Sequence, residues 1–444
     1  MVTPIFKKGQ KSDLCNYRPI SVLSVLSKLL EKIVHDQVST FMKDHGHFSH
    51  CQHGFRQLHS TVTSLLNVTE LWFSNIDRKK VNMSVFLDLK KAFDTVDHDL
   101  LLAKLAVYGI VGGPHQWFSS YLTRREQYCQ IGGQRSSRKV VKHGIPQGSC
   151  LGPLLFILYV NDFAQCLVKS SRNMYADDTS VTCSAEDIDT LCDDLRTELT
   201  NISEWMRQNK LSLNANKSEF LIVGHKRQLN GIYEPVQLQV EEEPIRRVQT
   251  VKYLGIRVDE NLSWNEQYKS LKCKVKCGLS SIRKLKDILP QSKLEQVYRA
   301  LVESHLRYGN ELWGSLSDTK LNHLQRLQDR ARTLIESSNV KDGWTCNWLS
   351  VSNLIKYDKA VMAYKIMNNL CPNSLQGKFT MRSQISAYAT RNCRDIDIPK
   401  RNLEFSKKSF LYSGAKLWND IPLDIRNSPT LLTFKKKLKD YLLH

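Results

Sequence analysis

Three aspartates in this 444-residue chain stand where charge is expensive. Asp88 falls inside the apolar run VNMSVFLDL at 81–89, and Asp177 and Asp178 sit in a hairpin signal, NMYADDTSVT at 173–182. A carboxylate on an otherwise buried strand costs free energy unless it is paired or holds a cation. Taken alone, Asp88 reads first as a cap for the next helix, and the Asp pair as a polar turn. Apolar sequence on both sides of the pair (Met174, Tyr175, Val181) presents it instead at the tip of a buried hairpin. If the strand lies beside the hairpin, Asp88 and Asp177 converge. Carboxylates gathered in this way cannot all stay ionised without cations. Mg2+ favours such hard oxygen ligands and shares substrate phosphate oxygens. Two such ions about 4 Å apart clamp the attacking and leaving oxygens of an in-line displacement. The chemistry predicted is nucleotidyl transfer onto a primer 3′-hydroxyl, with pyrophosphate leaving.

The elements that must hold these acids are legible in outline. Residues 4–20 read as a strand, a basic turn and an extended segment fixed by Pro19. From Ser21 to Met42, apolar residues recur with helical period (Val22, Val25, Leu26, Leu29, Leu30, Ile33, Val38), which predicts an amphipathic helix packed on a core. Helices are also expected over 60–76, 100–108, 153–163 and 187–208. A hairpin is expected over 127–141, turning at Gly132-Gly133. Residues 211–223 read as a turn plus strand, and 251–258 as one strand with Gly255 inside it. Beyond Trp264 long helical patterns dominate, over 266–287, 291–308 and 319–336, and residues 341–444 are mixed and less periodic. The sequence shows no internal repeat and no low-complexity linker.

Composition bounds the class. Hydrophobic residues make up 41% and charged residues 24%, as in ordinary globular chains. No apolar run reaches the roughly 18 residues a membrane span needs, and no signal-peptide core follows the early charges Lys7, Lys8 and Lys11. The expectation is a chain of the nucleus or cytoplasm, neither secreted nor membrane-spanning. Net charge is +20, and residues 231–444 carry 36 basic against 22 acidic side chains, or +14 of it. A polyanionic partner suits that surplus, because each Lys or Arg placed on a phosphate releases condensed counterions. A solvated basic surface would give the same count. The 12 cysteines form no CxxC, and His45, His47, His50, Cys51 and His53 fit no standard zinc spacing.

Seven segments then occur in one order: NYRPI (16–20), QHGFR (52–56), FLDLKKAFDTVDH (86–98), GIPQGSCLGPLLFILYVND (144–162), YADD (175–178), LNANKS (213–218) and YLGI (253–256). That series resembles the reverse transcriptases of non-LTR retrotransposons, the LINE class, jockey-like elements in particular. The resemblance implies an RNA-directed DNA polymerase of α+β class. Its right-hand fold would place fingers and palm at 1–230, a primer-grip region at 231–264, a helical thumb at 265–340 and a basic C-terminal region at 341–444. It implies two Mg2+ ions, with Mn2+ as an alternative, held by Asp88 and Asp177 with Asp178 assisting. Around the nucleotide it implies Phe93 as a steric gate against a 2′-hydroxyl, with Arg18 and Arg56 near the triphosphate. Gln147 and Gly148 would back the incoming base, and Lys217 would approach the leaving pyrophosphate. Tyr253, Leu254 and Gly255 would grip the primer. Core packing is the competing account of Phe93, loop anchoring of Arg18, and simple solvation of Lys217. The implied partners are an RNA template, a DNA primer and dNTPs. An endonuclease domain is expected to be absent. The alternative function is a catalytically inactive or domesticated RNA-binding protein on the same fold.

Overall fold

The computed structural model describes residues 1–230, 236–241, 243–385 and 393–444. The boundary expected at 230/231 abuts residues 231–235, outside the described residues. The chain opens with an antiparallel pair, β1 (Val2–Phe6) and β2 (Tyr17–Ser21), then α1 (Val25–Asp44) and α2 (Thr61–Asp77). Next come β3 (Val81–Leu87), α3 (His98–Val107), α4 (Gly112–Leu122) and α5 (Gly152–Tyr159). Two-residue rungs at 126–140 form the expected hairpin, with Gly132 and Gly133 both at positive φ. The hairpin β4 (Ser171–Tyr175) and β5 (Asp178–Ala185) follows, then α6 (Ile188–Gln208), β6 (Glu219–Val223), β7 (Leu238–Val240) and β8 (Glu243–Arg247).

Six strands form one sheet in the order β7-β8-β6-β3-β5-β4, with β3 antiparallel to both neighbours. All seven residues of β3 are buried, because both sheet faces are covered. Strand alternation sends Met83, Val85 and Leu87 into the core that holds α5 and α6. Burying each such side chain contributes roughly 1.5–3 kcal/mol. The opposite face carries Asn82, Ser84 and Phe86 toward α2. There the Trp72 indole N–H donates to Ser84 Oγ at 3.0 Å, and Asn75 Nδ2 donates to Asn82 Oδ1 at 2.7 Å. An apolar face fixes register, and a hydrogen-bonded polar face locks α2 onto it.

The helical half runs through β9 (Thr250–Tyr253), β10 (Ile256–Asp259), α7 (Asn265–Leu285), α8 (Gln291–Tyr298), α9 (Asp318–Glu336), α10 (Val351–Met367), α11 (Phe410–Asp420) and α12 (Leu431–Leu443). After α8 the helix continues as a π-helical stretch, Arg299–Glu303, and a turn of α-helix, Ser304–Arg307. Residues from α7 to α12 share one hydrophobic core with α2. The C-terminal region is also stitched to α2 by polar contacts, with the backbone N–H groups of Asn402 and Leu403 donating to Asp77 Oδ1 at 2.9 and 3.0 Å. Among the described residues no helix is long and apolar enough to cross a membrane.

Two expectations need correction. Residues 251–258 are a tight hairpin: β9 pairs with β10 around Leu254 (φ +44°) and Gly255 (φ +82°). Two successive positive φ values match the twist of the flanking strands, which single-strand periodicity does not reveal. In α1 the helix is present but its apolar stripe faces outward: Val25, Leu26, Leu29, Leu30 and Ile33 are exposed, while Glu31, Val38 and Met42 are buried. Glu31 explains the orientation. Its carboxylate accepts from Tyr121 Oη and from the Cys150 N–H, both at 2.7 Å, so the helix turns an acid inward to anchor the loop after Gly148.

Candidate active site

Asp88 follows the last residue of β3. The β3–β5 register pairs Leu87 with Thr179, so its continuation sets Asp88 across from Asp178. By the same alternation both side chains lie on the Ser84 and Phe86 side of the sheet. Like charges directly opposite one another are destabilising. Asp177 occupies the two-residue turn between β4 and β5, beside Ala176. The strand and hairpin therefore bring the three predicted acids together, with Asp178 in the cross-strand position that the sequence reading assigned to Asp177.

The electrostatics register that crowding. Burial, then the charges of Asp177 and Asp88, push the Asp178 carboxyl up to about 6. Asp177 is also raised, chiefly by burial and then by Asp88, with Arg18 and Lys7 pulling the other way. Both side chains nevertheless reach solvent. Among the described residues no cation lies within ion-pair distance of Asp177 or Asp178. Asp88 has one, Lys217 Nζ at 3.7 Å from Oδ2. Among those residues no three His, Cys, Asp or Glu side chains stand together so as to hold a metal ion by themselves. Mg2+ needs no such cage: it takes one or two carboxylates and completes its shell with water and substrate phosphate. A solvent-reachable cluster of mutually repelling carboxylates is the donor set a hard dication fits.

Several neighbours were not singled out in the sequence. Asn214 Nδ2 donates to Asp88 Oδ2 at 3.1 Å, and its own N–H donates to the Asp88 carbonyl at 2.7 Å. Ser218 Oγ accepts the Asp88 N–H at 3.2 Å. The LNANKS segment is thus a cradle for Asp88, and Lys217 belongs to it. Gln52 is buried and contacts the backbone of Ala176. Only co-occurrence within the ordered motifs could have flagged these residues, since Asn, Gln and Ser are common loop types.

The remaining predicted residues divide. Arg18 is exposed on β2, close enough for its charge to act on Asp177. Phe93 is half-buried, its ring stacked on Phe156 with centroids 4.6 Å apart. Gln147 Nε2 donates to Asp94 Oδ1 at 2.8 Å. Gly148 has φ +105°, and a Cβ there would stand 2.9 Å from the Ser21 carbonyl oxygen. Its missing side chain thus serves packing against β2, where the sequence reading had given it to nucleotide approach. Arg56 Nη1 donates to the carbonyls of Ser49 and Gln52 at 2.7 and 3.0 Å, so part of its guanidinium is committed to its own loop. Tyr253 is buried, its hydroxyl accepting from Asn173 Nδ2 at 2.9 Å and hydrogen-bonded to Ser180 Oγ at 3.3 Å. Leu254 is also buried, its carbonyl accepting from Tyr308 Oη at 2.6 Å, and Gly255 alone of the three is exposed. In the helical half, outside the predicted set, Trp313 is buried and the indoles of Trp344 and Trp348 both donate to Glu295.

A hairpin offering acids thus stands beside the end of a central antiparallel strand, with a helical half packed alongside. The model of the family described as "Reverse transcriptase (RNA-dependent DNA polymerase)" matches residues 5–258, more than half of the chain, and the chain belongs to that family. It is 28% identical over 344 residues to a probable RNA-directed DNA polymerase from transposon X-element of Drosophila melanogaster, covering 76% of this chain and 37% of that protein. It is 27% identical over 409 residues to the RNA-directed DNA polymerase from mobile element jockey of the same organism, covering 86% and 43%. A Pol polyprotein from the type-1 retrotransposable element R2 of Popillia japonica is 28% identical over 273 residues, covering 57% and 36%. The chain thus spans about two fifths of the length of these relatives. Among solved structures, apo telomerase from Candida tropicalis aligns with a TM-score of 0.39 at 14% identity, covering 73% of this chain and 56% of that one.

Proposed function

We propose that this chain carries the RNA-directed DNA polymerase activity of a non-LTR, LINE-type retroelement, adding dNTPs to a primer 3′-hydroxyl on an RNA template. The observation that carries this reading is the mutual repulsion of Asp88, Asp177 and Asp178 at a solvent-reachable hairpin tip. A repelling cluster serves no structural end, and divalent cations relieve it. Mg2+ bound there would activate the primer hydroxyl and neutralise the leaving phosphates.

The chain's own groups do the rest. Asp88 and Asp177 supply the principal ligand oxygens, and Asp178 sharpens the negative field. Asn214 and Ser218 hold Asp88 in place. Lys217, tethered to Asp88, is positioned to swing to a departing pyrophosphate. Arg18 and the free part of the Arg56 guanidinium offer charge to the triphosphate. The free face of Phe93 is assigned to the sugar ring, where contact would exclude a 2′-hydroxyl. The backbone of Gly255 is open to a primer strand, and holding that strand near the α-phosphate is a large part of such catalysis. The surplus positive charge beyond residue 230 suits the backbone of an RNA–DNA hybrid, read by shape.

Primer extension on poly(rA)/oligo(dT) with Mg2+ tests the reading. Wild type should incorporate dTTP and Asp177→Asn should not. Hybrid binding without incorporation by wild type would favour the RNA-binding alternative, and equal extension by the variant would sink the metal assignment.

A further inference from the structure

The turn that carries Asp177 is not self-supporting. Ala176, its first central residue, has φ +57°, a left-handed conformation that costs an L-residue with a side chain roughly 1–2 kcal/mol. Glycine or asparagine is the usual occupant there, and neither is present. Something outside the hairpin must therefore impose its shape.

That something is one side chain. Gln52 is fully buried. Its Oε1 accepts the Ala176 N–H at 2.9 Å and the Gly54 N–H at 2.7 Å, while Nε2 reaches the Ala176 carbonyl at 3.4 Å. The flanking backbone continues the grip: the His53 N–H donates to the Met174 carbonyl at 2.7 Å, and the Met174 N–H to the Cys51 carbonyl at 2.8 Å. Gln52 thus forms a single parallel bridge to Met174 at the edge of β4, and its amide extends that contact around the turn. Gly54 makes the approach possible, since a Cβ there would stand 2.3 Å from the Ala176 nitrogen. The same segment is anchored behind by Arg56, through the Gln52 carbonyl.

We infer that Gln52 is a positioning residue for the Asp177 and Asp178 carboxylates, fixing the Ala176 turn so that the two acids meet a divalent cation without reorganising. The inference rests on the metal role proposed for those acids. Groups that orient metal ligands are worth about 10- to 100-fold in metal affinity. A ligand on an unclamped turn would have to find its geometry at the moment of binding.

The experiment titrates Mn2+ against the purified full-length chain by electron paramagnetic resonance, and measures RNA–DNA hybrid binding by anisotropy on the same samples. Gln52→Leu should weaken Mn2+ binding about tenfold, with hybrid affinity changed by no more than about twofold. Adding Ala176→Gly, which takes the positive φ without strain, should restore part of the Mn2+ affinity. A purely structural role would move both affinities together and show no such rescue. If Gln52→Leu does not fold, Gln52→Met keeps the length of the side chain without charge, removes both amide-oxygen contacts and should weaken Mn2+ binding about tenfold. Wild-type Mn2+ affinity in Gln52→Leu, or in Gln52→Met where Gln52→Leu does not fold, would overturn the inference. So would a parallel loss of hybrid binding without rescue. Primer extension separates the two readings. Wild type that binds Mn2+ but extends nothing sinks the polymerase and leaves Gln52 to be judged by titration. Wild type that extends while Gln52→Leu keeps a normal Mn2+ curve sinks only the inference.

Discussion

Two regions of this molecule hold carboxyls raised above their ordinary values. One is the hairpin tip, where Asp177 and Asp178 are raised beside Asp88. The other is the seam between α2 and the C-terminal helices, where Glu70 and Glu311 are buried and both pushed up to about 7, chiefly by burial. At the seam basic groups stand near the acids, although Oε2 of each glutamate has no hydrogen-bond partner. Arg401 Nη2 stands 3.5 Å from Glu70 Oε2, the Leu411 N–H donates to Glu70 Oε1 at 3.1 Å, and buried Lys359 feels both glutamates. At the hairpin tip the acids reach solvent, and among the described residues only Asp88 has a cation within ion-pair distance, on a lysine that is itself mostly exposed. A raised carboxyl therefore does not mark a functional site by itself. What separates the two regions is exposure: Glu70 and Glu311 are buried beside basic side chains, and Asp177 and Asp178 are exposed with no cation within ion-pair distance among the described residues.

The sharpest way to break this comparison is to remove one acid from each region. Asp177→Asn should reduce primer extension by about 100-fold or more while leaving thermal stability unchanged or slightly raised, because it relieves repulsion. Glu70→Gln should leave extension within about twofold at 25 °C. Equal loss of activity in both variants would mean that the seam belongs to the catalytic apparatus. The next effect in size is Arg401→Ala. It strands a buried carboxylate and should destabilise the chain by about 3 kcal/mol, read from urea midpoints at pH 7.5. A change below about 0.5 kcal/mol would show that the seam is solvated.

A smaller effect sharpens the functional side. Phe93 stacks on Phe156 with one face and is half-buried, so packing and gating are both open to it. Phe93→Ala should raise ribonucleotide over deoxyribonucleotide incorporation by about tenfold, with a stability loss of about 1–2 kcal/mol from the lost stack. A stability loss with no change in sugar selectivity would leave Phe93 as a packing residue only.

The same contrast explains what could be read before the structure. Strand Val81–Leu87, the hairpin at Asp177 and the long helices after Trp264 were legible because apolar periodicity and turn chemistry are local signals. The pairing of β3 with β5 entered the sequence reading only as the condition under which the acids converge, and the fold meets it. The direction α1 faces was not legible. Its stripe is present, but Glu31 finds partners 90 and 119 residues away and turns the stripe outward. The Leu254-Gly255 turn and the packing role of Gly148 were hidden for the same reason, because both depend on what the backbone meets across the fold. Gln52 and Asn214 were missed because an amide shows its role only through the backbone groups it happens to face.

The smallest prediction concerns pH and tests the buried side of the comparison. In the folded chain Glu70 releases its proton near 7, whereas its ordinary value is 4.5. Between those values the folded state holds a proton the unfolded state has already lost, so stability falls as pH rises from about 5 to 7 and levels off above. Glu311 acts in the same direction. Lys359, lowered to about 8 by burial, titrates above this window and does not mask it. Glu70→Gln removes its own contribution and leaves those of Glu311 and of Asp178, which is raised to about 6. Its loss of stability between pH 5 and pH 7.5 should be smaller than that of wild type by about 1–2 kcal/mol, since a tenfold difference in proton affinity between the folded and unfolded chain is worth about 1.4 kcal/mol. The fall should not vanish, because Glu311 and Asp178 remain. Urea midpoints at the two pH values measure the difference directly. Identical slopes for variant and wild type would mean that Glu70 is already ionised when folded, fully answered by Arg401, and that the strain at the seam resides with Glu311 alone.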